Sequence, residues 1–157
     1  TLYGQRMGAL IGVSKNKAAM DEFVNASVIT CRTRWSNLSR AAMRTMAEIY
    51  KDPALLQQVG NERSAYAGLM AARAKVFVEE AKQAKLEILP YSAGFFVTIP
   101  CASPVEASNV LRQSNIFVVP MAKGLRVAVC AVPVRKMYGL ADKVAHAVQM
   151  SCGAAGK

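Results

Sequence analysis

Histidine is almost missing from this chain: His146 is the single one. The four cysteines, Cys31, Cys101, Cys130 and Cys152, stand far apart and form no C-x-x-C pair. A structural zinc site therefore has almost no ligand set, and no metal is expected. No apolar run suits a membrane span, because the most apolar stretch, 116–134, is broken by Pro120, Lys123, Arg126 and Pro133. No signal peptide is read, and scattered thiols without one suit a reducing compartment, so the cytoplasm is the expected location. Internal repeats and low-complexity tracts are lacking too.

What is present describes a folded domain. The 157 residues are 53% hydrophobic and 19% charged, enough for a real core and too apolar for disorder. For so short a chain this is on the apolar side, which points to surface covered by a partner. The formal net charge is +10, and such a balance invites nucleic acid, an acidic membrane or small anions. The basic residues are scattered, with no run longer than two among 32–44, 123–126 and 135–136, a pattern that argues against nucleic acid.

The run MGALIGV at 7–13 reads as a buried strand. Met20, Phe23, Val24 and Val28 recur at helical spacing over 17–31, followed by a polar connection, CRTRWSNLSR, and a second helix over 39–51. Asp52-Pro53 is a strong helix start, a capping side chain ahead of proline at the first helical position. The apolar spacing then continues to about Lys85, roughly 30 residues or ~45 Å, a length expected of a helix that bridges two lobes. Beyond Pro90, GFFVTIP (94–100) is strand-like, and Ser103-Pro104-Val105-Glu106 reads as a capping box opening a helix to about Gln113. NIFVVP and GLRVAVC read as two more strands, then 134–150 as a terminal helix. GLRVAVC carries the most informative residue: Arg126 is a lone charge in an apolar strand, costly to bury unless an anion meets it.

Several of these stretches together resemble the aspartate/aromatic aminotransferases, pyridoxal-phosphate enzymes of fold type I. TLYGQRMGALIGVS looks like the segment just after the family's Schiff-base lysine, so Arg6 would match the arginine that holds the cofactor phosphate. CRTRWSNLSR is similar to the family's Arg-x-x-aromatic-Ser-Asn segment. By that match Arg32 would read the distal carboxylate of a dicarboxylic substrate, and Ser36 would reach the phosphate of the neighbouring subunit's cofactor. Trp35 stands at the substrate-facing aromatic position, where tyrosine is common. VVPMAKGLRVAVC resembles the final substrate motif, with Arg126 clamping the substrate α-carboxylate, and AGFFVTIP resembles the segment whose aromatic, Phe96, lines the substrate pocket.

The resemblance implies an α/β architecture, the C-terminal portion of a fold-type-I transferase. Residues 1–51 would end the large cofactor domain, 52–85 would be the long interdomain helix, 86–150 a small α+β lobe and 151–157 a tail. It implies pyridoxal 5'-phosphate as cofactor, and an amino acid (aspartate or an aromatic one) and a 2-oxo acid as substrates. It also implies a homodimer and a missing N-terminal portion as partner. By register from Arg6 the Schiff-base lysine would lie about three residues before Thr1, so no catalytic residue falls within the chain and the chain alone is expected to be inactive. Ser14-Lys15-Asn16 imitates the lysine motif but follows Arg6 instead of preceding it, so Lys15 reads as a surface lysine. His146 reads as a helix-face residue and the cysteines as idle thiols. The alternative class is a non-enzymatic basic module whose arginines meet nucleic acid or another anion.

Overall fold

The structure, a computed structural model, describes residues 3–154; the side chains of Tyr3 and 152–154 lie outside the described set. The Cys152 thiol and the last three tail residues are therefore not assigned a place. The chain divides into two compact units, Thr1–Asn61 and Glu62–Lys157.

In the first unit a short 3-10 turn, Tyr3–Gln5, leads into an irregular segment. Residues 6–15 form no strand, which overturns the reading of 7–13. Leu10 and Ile11 are each 78% exposed and Val13 93%. An apolar run becomes a strand only beside a neighbour that completes its ladder, and no such neighbour is found among the described residues. Helix α1, Lys17–Trp35, begins where the Asn16 side chain accepts from the Ala19 amide. It also absorbs the first half of the expected connection, 31–35, because a run of Arg and Thr is as compatible with a solvated helix face as with a loop. Ser39 caps α2, Arg40–Lys51, in the same way, and Ala42 is the buried residue of that helix. Asp52 Oδ1 accepts from the amides of Ala54 and Leu55 at 2.8 and 3.2 Å, and α3 runs unbroken over Pro53–Gln83.

The second unit is an α+β lobe around a three-stranded antiparallel sheet. Strands β1 (Phe96–Pro100), β2 (Val119–Met121) and β3 (Gly124–Ala128) take the order β1-β3-β2. The last strand made is thus the central one. One face of the sheet is the core side: Val97, Ile99, Leu125 and Val127 are buried there. They join Ala74, Phe77 and Ala81 of α3, spaced as one helical stripe, Ala107 and Leu111 of α4 (Pro104–Gln113), and Ala141, Val144 and Ala147 of α6 (Leu140–Ala154). Ser103 does not complete a capping box; at φ −125° and ψ 71° its hydroxyl bonds no helix amide. The expected terminal helix is split into α5 (Val134–Met137) and α6 by Gly139 at φ +74°, a conformation that L side chains rarely adopt. Glu80 of α3 fixes that break, both carboxylate oxygens accepting from the Gly139 amide at 2.9–3.0 Å at the foot of α6.

Candidate functional site

Each unit holds its own arginine-bearing group. In the lobe, strand alternation puts Phe96, Thr98, Arg126 and Ala128 on the face opposite the core: Thr98 pairs with Arg126 and Phe96 with Ala128. The Phe96 ring thus sits diagonally beside Arg126, and the Arg126 guanidinium carbon lies 4.5 Å from its centroid. A guanidinium over an aromatic face is held in place while its donors stay directed elsewhere. Phe95 packs edge-on to Phe96, centroids 6.3 Å apart. Neither phenylalanine is core; Phe95 is 52% and Phe96 43% exposed, because the bend before β1 leaves one on the loop and the other on the open face. Arg126 Nε is buried and has no hydrogen-bond partner. Among the described residues no carboxylate lies in salt-bridge range of Arg126. A half-buried guanidinium with an unfilled donor has the chemistry to accept an anion.

In the first unit Arg32 and Ser36 meet. Arg32 Nη1 donates to the Ser36 hydroxyl at 2.8 Å and to its carbonyl at 3.2 Å. Ser36 lies at φ 65° and ψ −52°, and the Asn37 amide donates back to the Trp35 carbonyl at 2.7 Å. That is a γ-turn of the rare positive-φ kind, a strained conformation held here by the arginine. Arg6 also has positive φ, +50°. It lines an open cavity of about 640 Å³ with Gln5, Met7, Trp35, Asn37 and Leu38, and none of the described residues on its wall is Asp or Glu. Ser36 is not on that wall. The structure therefore groups the sequence-derived residues in three places: Arg6 with Trp35, Arg32 with Ser36, and Arg126 with Phe96. Lys15 and His146 are exposed.

The sequence profile of aminotransferase class I and II matches residues 1–144. The chain belongs to this family. No curated protein matches the chain. Among solved structures, an aminotransferase from Anaerococcus prevotii DSM 20548 is 34% identical with a TM-score of 0.86, over 93% of this chain and 36% of that one. A structure from Corynebacterium diphtheriae is 16% identical with a TM-score of 0.56, over 83% of this chain and 36% of its own. The second likeness is one of fold alone. The chain spans about a third of the length of both, and its fold is a partial fold-type-I aminotransferase architecture with a small antiparallel sheet. Nothing in these relationships supports a nucleic-acid module. Among the described residues no helix is long and apolar enough to cross a membrane, and no cluster of three His, Cys, Asp or Glu side chains is placed to hold a metal ion.

Two half-buried residues of this aminotransferase family chain escaped the sequence reading. Arg73 and Glu80 lie on α3 and reach the lobe's turns, Arg73 through a 2.6 Å bond from Nη1 to the Cys130 carbonyl. The available signal is a charge within the inward-facing stripe Met70-Arg73-Phe77, whose other two members are apolar.

Proposed function

We propose that this chain is part of a pyridoxal-phosphate-dependent aminotransferase that moves an amino group from an amino acid, aspartate or an aromatic one, to a 2-oxo acid. The observation that carries the reading is Arg126, stacked on Phe96 with a buried donor left over and, among the described residues, no acid in salt-bridge range. Both substrates of such a reaction carry a carboxylate next to the reacting carbon, and a fixed guanidinium fork orients it. Arg32 would read a second, distal carboxylate, trading its bond to Ser36 for the substrate. Trp35 and Phe96 would supply the apolar walls. Arg6 would hold the cofactor phosphate from one side and Ser36 would reach the phosphate of a neighbouring subunit's cofactor. The cofactor, when bound, supplies the electron sink that makes the substrate carbon acidic.

The division into a large-domain end (1–51), an interdomain helix (52–85), a small lobe (86–150) and a tail (151–157) belongs to the same reading. So do the homodimer, the N-terminal portion of the enzyme that would cover exposed Ile11, Val13 and Trp35, and a cytoplasmic setting suited to free thiols at Cys31, Cys101 and Cys130. The catalytic lysine lies outside 1–157, so the isolated chain mixed with pyridoxal phosphate and aspartate gives no borohydride-trapped cofactor and no oxaloacetate. In the intact enzyme Arg126→Leu raises the KM for amino and oxo acids by about 100-fold, the scale expected on removing one partner of a buried charge pair. Turnover by the isolated chain, or unchanged KM in Arg126→Leu, overturns the proposal.

A further inference from the structure

We infer that Arg73 is a positioning residue for the carboxylate-binding arginine, acting on Arg126 through the Cys130 turn and the Phe95–Phe96 pair; this rests on the aminotransferase reading above. The path is continuous within the lobe. Arg73 Nη1 donates to the Cys130 carbonyl at 2.6 Å, a short charge-assisted bond across 57 residues of sequence. Cys130 belongs to the 3-10 turn Val129–Ala131 that follows β3, and its amide donates to the Phe95 carbonyl at 3.4 Å. Phe95 meets Phe96 edge-on, and Phe96 carries the Arg126 guanidinium on its face. The turn that Arg73 grips therefore ties the end of the Arg126 strand to the start of the Phe96 strand.

A half-buried arginine is an expensive way to satisfy one carbonyl, since water or a hydroxyl would serve. Its Nε is buried and unpartnered, like that of Arg126, and among the described residues no carboxylate neutralises it. What the long, planar side chain adds is reach and rigidity: it connects the axis of α3 to the turn with one strong, directional bond. Any loosening of that turn rotates the Phe96 ring, and the ring is what holds the guanidinium in plane. Carboxylate affinity is the property such a strut controls, whereas proton transfer at the cofactor is not.

The test uses the intact enzyme with Arg73→Met, Arg73→Lys and, separately, Arg126→Leu. Kd for glutarate, a carboxylate without an amino group, is measured by calorimetry, alongside KM and kcat. Arg73→Met is expected to raise both Kd and the amino-acid KM about 10-fold, with kcat within twofold and turnover of a primary amine lacking a carboxylate unchanged. Arg73→Lys, which keeps one donor, restores at least half of the loss on a logarithmic scale. In Phe96→Leu the effect of Arg73→Met shrinks to twofold or less, since the path is already cut. Unchanged glutarate affinity in a folded Arg73→Met, equal losses with the carboxylate-free amine, or an undiminished effect in Phe96→Leu would each overturn the positioning role. If Arg73→Met does not fold, Arg73→Gln takes its place, as a shorter side chain that cannot reach the Cys130 carbonyl: a glutarate Kd equal to the parent's overturns the positioning role, a raised Kd with the carboxylate-free amine unaffected supports it, and equal losses with both overturn it. Should Arg126→Leu itself bind glutarate normally, the aminotransferase assignment of Arg126 fails, whatever Arg73 does.

Discussion

A methyl group added at Gly124 has nowhere to go. Built on that residue, a Cβ would stand 2.5 Å from the Ile99 carbonyl oxygen, while a comfortable carbon–oxygen contact is about 3.3 Å. The obstacle is backbone of the neighbouring strand, so no side-chain rotation relieves it, and β3 must move away from β1 by roughly 0.8 Å. Overpacking of a dense interior costs about 1–3 kcal/mol, and with a rigid neighbour Gly124→Ala belongs at the upper end. With a urea dependence of about 2 kcal/mol/M, that lowers the unfolding midpoint by roughly 1.5 M. The same substitution at Gly68 is the control. Its site on α3 is exposed and nothing lies within 4 Å of a built Cβ, so Gly68→Ala should stabilise by ~0.5–1 kcal/mol through helix propensity. Urea titrations followed by circular dichroism, with amide exchange at Leu125 and Val127, measure both. Shifts of the same sign in the two variants, or an unmoved midpoint in Gly124→Ala, would refute the packing argument for β3.

Phe77 is fully buried at the centre of the lobe's core, so Phe77→Ala should cost about 3–5 kcal/mol by thermal or urea unfolding. Val105→Ala, at 56% exposure, should change stability by less than about 0.5 kcal/mol. Burial raises the Tyr91 pKa above 10.0, and its hydroxyl donates to the Gly94 carbonyl at 2.7 Å. The neutral phenol is thus favoured in the folded state, its contribution is full below pH 10.0, and it is lost as pH rises through the folded pKa. Stability should therefore fall faster with pH above that value in the parent than in Tyr91→Phe, as unfolding series at successive pH values would show, and parallel curves would contradict it.

The lobe was legible because its patterns are short-range and redundant. Asp52-Pro53 fixed the start of α3 by side-chain chemistry that needs no tertiary context, and the alternation Leu125-Arg126-Val127 exposed Arg126 as a charge on an otherwise apolar strand. What failed depended on partners. The apolar run at 7–13 registered hydrophobicity, but a ladder requires a second strand, and the described residues offer none. Ser103 had the capping composition and the wrong dihedrals, set by the turn leaving β1. The 31–35 segment looked polar enough for a loop, yet Arg32 and Arg34 are good helix formers, and the Thr33 hydroxyl finds the Ile29 carbonyl without leaving α1. Arg73 was hidden for the opposite reason: its value lies in the Cys130 carbonyl, 57 residues away, and no local pattern encodes that.

The strand order β1-β3-β2 has a consequence for the moment at which the lobe becomes competent during synthesis. Strands β2 and β3 are neighbours in sequence and pair as a hairpin, Met121 opposite Gly124, an event of about 1–10 μs once both exist. Strand β1 emerges earlier and must wait unpaired, since its partner in the sheet is β3 and even its innermost pair, Pro100 with Gly124, closes a long loop. Arg126 has Val119 beside it as soon as the hairpin forms, but gains Thr98, and with it the Phe96 ring, when that loop closes. The guanidinium is thereby mounted by the final pairing of the sheet, so a nascent chain cannot present the finished Arg126–Phe96 face before its own core is closed.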